Sequence, residues 1–333
     1  MRAVVLHSPG QMAFESDWPE PEVPAGWALV HVGASGICGS DLPRTMSTGA
    51  YRHPMIPGHE FSGVVVGSRP GAFHEGDRVA VLPIVPCEKC DGCEVGPFHC
   101  EDYDFIGSRR DGGFAEYCVV PEANLFKLPD NISDEEGAFI EPISVALHVL
   151  RRSAMKHGAR ALVFGGGAIG ILVAEWAKIL GASEVVLADI REESLAIAHA
   201  CGIDRTVNPA AGGLDGIGEF DNIFEAAGAS QALLSGIDLA AAKGTLAVVG
   251  RDTKDTVIPL KAFEKLMRKE LEFKGCWGYD NRREIDFVYE SLRAGKLTFA
   301  PMITHRINLA EGPDTIAKMW AKDMFYCKIL FKV

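Results

Sequence analysis

The stretch ALVFGGGAIGILVAEWAKIL, residues 161–180, decides the fold of half the chain. An apolar strand runs into a glycine-rich turn, and an apolar helix follows. Gly165, Gly167 and Gly170 satisfy G-x-G-x-x-G. The first glycine permits the tight turn, the second lets the backbone approach a pyrophosphate, and the third lets the helix pack on the strand. Free N–H groups at the helix N-terminus then face the phosphates. Ile169, inside the same turn, is counted with the glycines as a dinucleotide contact. Context strengthens the motif. EVVLAD (184–189) reads as the next strand and ends at Asp189, about twenty residues on. A carboxylate there accepts hydrogen bonds from a ribose 2′-OH and repels a 2′-phosphate, which favours NAD over NADP. Arg191 stands close by and pulls the other way.

Downstream, strands and helices alternate: DNIFEAAG (221–228), a helix over 230–242, GTLAVVG (244–250), a helix over 259–269, and LEFKGCWG (271–278). That order predicts a doubly wound parallel sheet. The segment 202–220, GIDRTVNPAAGGLDGIGEF, is too short and glycine-rich for a crossover helix, so a loop or a single turn is expected. After residue 283 come an amphipathic helix, the strand MITHRINL, the helix DTIAKMWAKD and a final strand CKILFKV.

Upstream of the turn the apolar period changes to two. RAVVL, MAFES and ALVHVGA, then FSGVVVG (61–67) and DRVAVLPIV (77–85), are short strands broken by Pro and Gly. They predict an antiparallel, barrel-like β domain. The tail is expected to fold back onto it. The two domains are then residues 1–142 with 286–333, and residues 143–285, with a cleft between them.

A length of 333 residues agrees with about two domains. The net charge of −12 argues against nucleic acid or an anionic membrane as partner. No secretory leader is legible in MRAVVLHSPGQM, and the longest apolar stretch, 161–174, falls short of a membrane span. A cytoplasmic protein is expected. Of nine cysteines, four lie within residues 87–100, which in that compartment suggests metal rather than disulfides.

Those four, Cys87, Cys90, Cys93 and Cys100, are spaced C-x2-C-x2-C-x6-C. Four thiolates can close a tetrahedron around zinc, and a closed all-sulfur site is structural. His99 is an alternative ligand beside Cys100. A second group of donors lies in GICGSDLPRTMSTGAYRHPMIPGHE (36–60): Cys38, then His59 and Glu60. Taken singly, Cys38 reads as a small buried residue and His59 as a loop histidine. Together they offer thiolate, imidazole and carboxylate, the ligands of a zinc site with one position open. Ser133 and Glu136 form a capping box before GAFIEPI, and Glu141 then falls inside an apolar run. A buried carboxylate needs a partner. Either a basic residue elsewhere supplies it, or Glu141 joins Cys38 and His59 on a metal. Arg109 and Arg110, before a glycine pair, either grip a phosphate bidentately or form a solvated turn.

These segments, GICGSD, PGHEFSGVV, GDRVAV, the cysteine lobe, GGFAEY, GGGAIG and VVLAD, resemble the zinc-dependent medium-chain dehydrogenases over essentially the whole chain. CGSDLPR (38–44), YDFIGSRRDGGFAEY (103–117) and GAFIEPI (137–143) are most similar to the branch that oxidises galactitol 1-phosphate to tagatose 6-phosphate. The resemblance implies an α/β protein, with a GroES-like β-rich catalytic domain beside a Rossmann domain. It implies two zinc ions per chain. The catalytic one sits on Cys38, His59 and Glu141, with Glu60 an alternate ligand or a supporting carboxylate. The structural one sits on Cys87, Cys90, Cys93 and Cys100. It further implies NAD as hydride acceptor, Ser40 as proton relay, and a homo-oligomer, dimer or tetramer, joined partly through the edge strand near Lys274–Trp277. The sequence departs from the family in a cysteine interval one residue short, in Pro43 at a position where many relatives keep a relay histidine, and in the short 202–220 segment.

Two rival readings follow. One is a zinc dehydrogenase of an unphosphorylated polyol, such as sorbitol or xylitol, or of threonine. The other is a non-catalytic NAD-binding protein, which would have no need of the set Cys38, Ser40, His59, Glu60 and Glu141.

Overall fold

The computed structural model describes residues 1–68, 71–252, 254–280 and 282–333. Two compact units emerge, Met1–Glu141 with Ile303–Val333, and Pro142–Met302.

In the first unit the strand Trp27–Gly36 is the organising element. Its residues alternate between half-buried and buried for most of its length, as the period-two pattern of ALVHVGA requires. It pairs antiparallel with Glu60–Ser68 on one side and with Lys328–Lys332 and Tyr117–Pro121 along its other edge. Arg78–Val81 and Leu125–Lys127 extend the sheet beyond Glu60–Ser68, and Ile303–Ile307 lies parallel to the last strand. Val30, Val32, Phe61, Val65 and Val79 fill one core, and Val4, Ile37, Phe114, Ile329 and Phe331 fill another. The carboxy-terminal strand is therefore built into the amino-terminal sheet.

The second unit is a six-stranded parallel sheet. Its order is Arg205–Val207, Glu184–Ala188, Arg160–Phe164, Phe220–Glu225, Ala240–Val248, Glu272–Gly275. The order reverses about Arg160–Phe164, the strand that feeds the glycine turn, as a doubly wound sheet requires. Two expectations change here. Residues 202–220 contain a strand, Arg205–Val207, and a 3-10 turn, Pro209–Ala211. Three residues are too few to show a period, and the strand forms because Glu184–Ala188 offers it an unpaired edge. The return to the first unit falls after Met302 rather than at residue 286. The helix Arg282–Arg293 stays in the second unit, where Phe287 stacks on Trp176 at 5.5 Å. Among the described residues no helix is long and apolar enough to cross a membrane.

Glu175 lies on the inner side of the helix Ala168–Ile179, 5% exposed. One oxygen accepts the Thr298 N–H at 2.6 Å, and the other has no partner among the described residues. Burial pushes its carboxyl up to about 7. The folded chain thus keeps a proton that the unfolded chain has released. The resulting stability is complete below the ordinary glutamate range and is lost as pH rises through about 7. Glu175→Gln should match the parent in acid and exceed it by on the order of 3 kcal/mol at pH 8. Urea titrations at both pH values check this, and an equal difference at both would refute it.

Candidate active site and metal centres

Cys38 stands two residues past the end of the strand Trp27–Gly36, and His59 directly precedes Glu60–Ser68. Pairing of these strands sets Gly36 opposite Glu60 and so brings Cys38 back to His59. The ligand atoms of Cys38, His59 and Glu60 all lie within 4.8 Å of one another. His59 and Glu60 are 4% and 2% exposed, while Cys38 is half-buried. Ser40 Oγ–H donates to Cys38 Sγ at 3.3 Å.

Asp41, wholly buried, orients this group. It accepts the Cys38 N–H at 3.0 Å and Arg44 Nη1 at 2.8 Å. His59 Nδ1 stands 3.3 Å from Asp41 Oδ1, a charge contact rather than an aligned hydrogen bond. Burial works against the Asp41 charge, but His59, Arg44 and the Cys38 N–H outweigh it and hold the carboxyl below its usual range. Lys328, on the last strand, donates to both Glu60 oxygens, at 2.9 and 2.7 Å, and is 4% exposed. Gly36 leaves room for this pair, since a Cβ there would collide with the Glu60 carboxylate.

Glu141, 7% exposed in the first turn of the helix Ile140–Ser153, stands outside the 4.8 Å set but close enough to feel its charges. Burial pushes its carboxyl up to about 7; His59 and Lys328 pull it down, and Glu60 and Asp41 push it further up. Burial likewise opposes a charge on His59, yet Asp41 and Cys38 raise its pKa well above the usual imidazole range. A site that pulls so hard on a proton is one with an unmet demand for positive charge. Its donors, one thiolate, one imidazole and a carboxylate, suit zinc. An acid facing the far nitrogen of the histidine is the usual way to orient such a ligand.

The second centre is more regular. Cys87, Cys90, Cys93 and Cys100 converge, with Sγ–Sγ separations of 3.8 Å (87–93), 3.6 Å (90–93) and 3.8 Å (90–100), and no disulfide. A tetrahedron with Zn–S bonds of about 2.3 Å has edges of about 3.8 Å. Backbone N–H groups already serve the sulfurs: Cys87 N–H donates to Cys100 at 3.2 Å and Glu101 N–H to Cys90 at 3.4 Å. The Glu101 bond draws the Cys90 thiol down to about 6, while burial pushes Cys100 up to about 11. The interval that is one residue short still closes, because Gly92 lets the backbone at His99 and Cys100 come against it. His99 itself is exposed and outside the set.

In the second unit Gly165 adopts φ +105°, and a Cβ there would strike Ala226 and Ala227. A Cβ on Gly170 would strike the Gly165 carbonyl. Gly167 caps the helix Ala168–Ile179, and Ile169 is half-buried in its first turn. Asp189 accepts the Gly166 N–H at 2.7 Å and the Arg191 N–H at 2.8 Å, so its carboxylate ties the end of one strand to the glycine turn of another. The Arg191 side chain is half exposed, 3.6 Å from the same carboxylate.

The paired arginines part company. Arg110 is bound to the Asp104 carboxylate and lies over Trp27. Arg109 lies over the rings of both Tyr51 and Tyr103. Asp41, Arg44 and Lys328 were not singled out as site residues by sequence. Asp41 and Arg44 at least stand within the CGSDLPR motif, whereas Lys328 is 268 residues from Glu60 and carries no local signal.

Residues 24–130 match the family model for the alcohol dehydrogenase GroES-like domain, and residues 168–292 match that for zinc-binding dehydrogenase. The chain is 39% identical over 291 residues to galactitol 1-phosphate 5-dehydrogenase of Escherichia coli, covering 83% of this chain and 84% of that protein. The crystal structure of the E. coli galactitol-1-phosphate dehydrogenase superposes with a TM-score of 0.91 over the full length of both chains, at 35% identity. D-xylulose reductase of Saccharomyces cerevisiae is 32% identical over 94% of this chain and 92% of its own. A zinc-binding dehydrogenase of Sinorhizobium meliloti 1021, solved bound to NADP, has a TM-score of 0.90 at 31% identity, covering 100% of this chain and 99% of its own.

Proposed function

Because this chain belongs to the zinc-dependent alcohol dehydrogenase family, we propose that it oxidises a secondary hydroxyl of a polyol phosphate, with NAD as hydride acceptor. The observation that carries this reading is the convergence of Cys38, His59 and Glu60 within 4.8 Å in a buried, negatively charged setting. The galactitol 1-phosphate enzyme of E. coli, similar over most of the chain, supports the substrate class.

Cys38 and His59 would hold the catalytic zinc. Lys328 occupies both oxygens of Glu60, which leaves Glu141 as the carboxylate free to complete the set. Zinc supplies a Lewis acid that acidifies a hydroxyl, and the nicotinamide takes up the hydride. Asp41 keeps His59 turned toward the metal position. Ser40 carries the released proton at Oγ, turning away from Cys38 to do so. Pro43 offers no relay beyond it, so the proton passes next to a ribose hydroxyl or to water. The four cysteines would hold a second zinc that fixes their lobe. Gly165, Gly167, Ile169 and Gly170 would receive the pyrophosphate, and Asp189 would select NAD.

Reduced-nicotinamide absorbance, followed across a panel of polyol phosphates and their free polyols with NAD and with NADP, tests the reading. Turnover of a polyol phosphate with NAD supports it. Turnover of xylitol or sorbitol alone, in protein carrying its zinc, would move the substrate to the unphosphorylated polyols, toward which the similarity to D-xylulose reductase points.

The protein would act as a homo-oligomer. Glu272–Gly275 is the last strand of the parallel sheet among the described residues, and Phe273, Trp277 and, on the helix Leu260–Arg268, Phe263 and Met267 are exposed apolar groups. A second copy that adds its own edge would cover both the backbone and the rings. Trp277→Lys should drive the protein toward single chains in light scattering. A parent protein that already has the mass of one chain would rule the assembly out.

A further inference from the structure

We infer that Arg109, whose guanidinium lies over the rings of Tyr51 and Tyr103, is the receptor for the terminal phosphate of the substrate, and that Arg110 takes no part. The inference rests on the polyol-phosphate reading above and says which residue imposes it. The Arg109 guanidinium carbon lies 4.2 Å from the centroid of each tyrosine ring. Contact with two aromatic rings favours bonding through the guanidinium's N–H groups at its edge. That is the geometry in which guanidinium meets phosphate bidentately, with its side-chain entropy already lost.

Neighbouring arginines each have an acid: Arg44 has Asp41, Arg52 has Asp111, and Arg110 has Asp104. Among the described residues Arg109 has none, and its buried Nε has no hydrogen-bond partner. A cation with no carboxylate of its own is the complement of an anion that arrives and leaves.

Its position joins it to the metal-ligand cluster. Phe105 packs edge-on against the His59 ring at 5.6 Å. From there the chain turns back tightly, with the Ser108, Arg109 and Arg110 N–H groups all donating to the Phe105 carbonyl, at 3.2, 2.9 and 3.2 Å. Gly107, at φ +84°, lies against the backbone of Gly58, the residue before His59. Tyr51 N–H donates to the Ser108 carbonyl at 3.4 Å, which fixes the outer ring of the clamp to the same turn. One short turn therefore carries both the ring that packs on a metal-ligand candidate and the free cation. A polyol chain can span such a site with its hydroxyl at one end and its phosphate at the other.

The test compares kcat/KM for a phosphorylated polyol with that for the same polyol unphosphorylated, in zinc-loaded full-length protein. In Arg109→Gln the ratio should fall by about 30-fold or more, mainly through KM, as expected for a charge-assisted bidentate contact. Arg109→Lys keeps the charge but loses the fork, and should recover only part of the ratio. Inorganic phosphate should compete with the phosphorylated substrate in the parent and lose that effect in Arg109→Gln. Thermal melting of each variant establishes that it is folded. If the parent prefers the phosphorylated polyol and Arg109→Gln keeps that preference, the assignment of Arg109 falls alone. If the parent shows no preference for any phosphorylated polyol, the substrate reading falls and takes Arg109 with it.

Discussion

Replacing Lys328 by methionine should destabilise the protein by about 3–5 kcal/mol, the usual cost of stranding one partner of a buried ion pair. Lys328 and Glu60 are 4% and 2% exposed, and both Glu60 oxygens receive the ammonium. The Ile37 carbonyl, at 3.4 Å, is the remaining acceptor. Burial works against the lysine charge, but Glu60, Cys38 and Glu141 together raise its pKa above the usual lysine range. Removing that charge leaves a carboxylate in a nearly dry pocket with two other acids, Asp41 and Glu141, close by. The freed Glu60 would also compete with Glu141 for the metal position, so turnover should fall in step with stability. The double variant Lys328→Met, Glu60→Leu should regain most of the stability, because two apolar groups of similar volume replace a costly pair. Urea titration of the single and double variants gives the answer. A single variant within 1 kcal/mol of the parent, estimated against the usual surface-pair range, would mean the pair is effectively solvated.

Cys38→Ser should cost more than about 100-fold in turnover, beyond the 10–100-fold that loss of a supporting partner around a metal typically costs. Serine keeps the volume but replaces a thiolate with a hydroxyl that stays protonated at neutral pH, so a zinc held as proposed would lose its softest ligand. The variant should also bind one zinc fewer per chain than the parent while melting at a similar temperature. Cys38 is half-buried and makes no core contact of the kind made by Ile37 beside it. Elemental analysis alongside the rate assay separates the outcomes. Full zinc content with near-parental turnover would remove Cys38 from the reaction. The same substitution in the cysteine lobe, at Cys100, should instead lower the melting temperature, since the zinc proposed for that set would hold its loop together.

Local chemistry made much of this protein legible in one dimension. The glycine turn at 165–170, the alternation of 28–34 and the cysteine run at 87–100 each depend on residues near one another in sequence, and each forms the expected element or cluster. Cys38 and His59 were legible as candidates because, with Glu60, they offer thiolate, imidazole and carboxylate together on glycine-flanked turns. The three-residue strand Arg205–Val207 was not, since it exists only because a neighbouring strand offers it an edge. The helix Arg282–Arg293 was legible as a helix, but its allegiance to the second unit depends on Phe287 finding Trp176.

Sequence by itself thus determined most of the elements and which residue types can bind metal and dinucleotide, because propensity, period and ligand chemistry are short-range properties of the chain. Only the tertiary structure decided which charges meet: Lys328 on Glu60, Asp41 behind His59, Arg110 on Asp104 and Arg109 over two tyrosines with no acid among the described residues. Electrostatic partners act through space at a few ångströms. The separation along the chain, 268 residues for Glu60 and Lys328, carries no trace of that distance until the sheet has assembled.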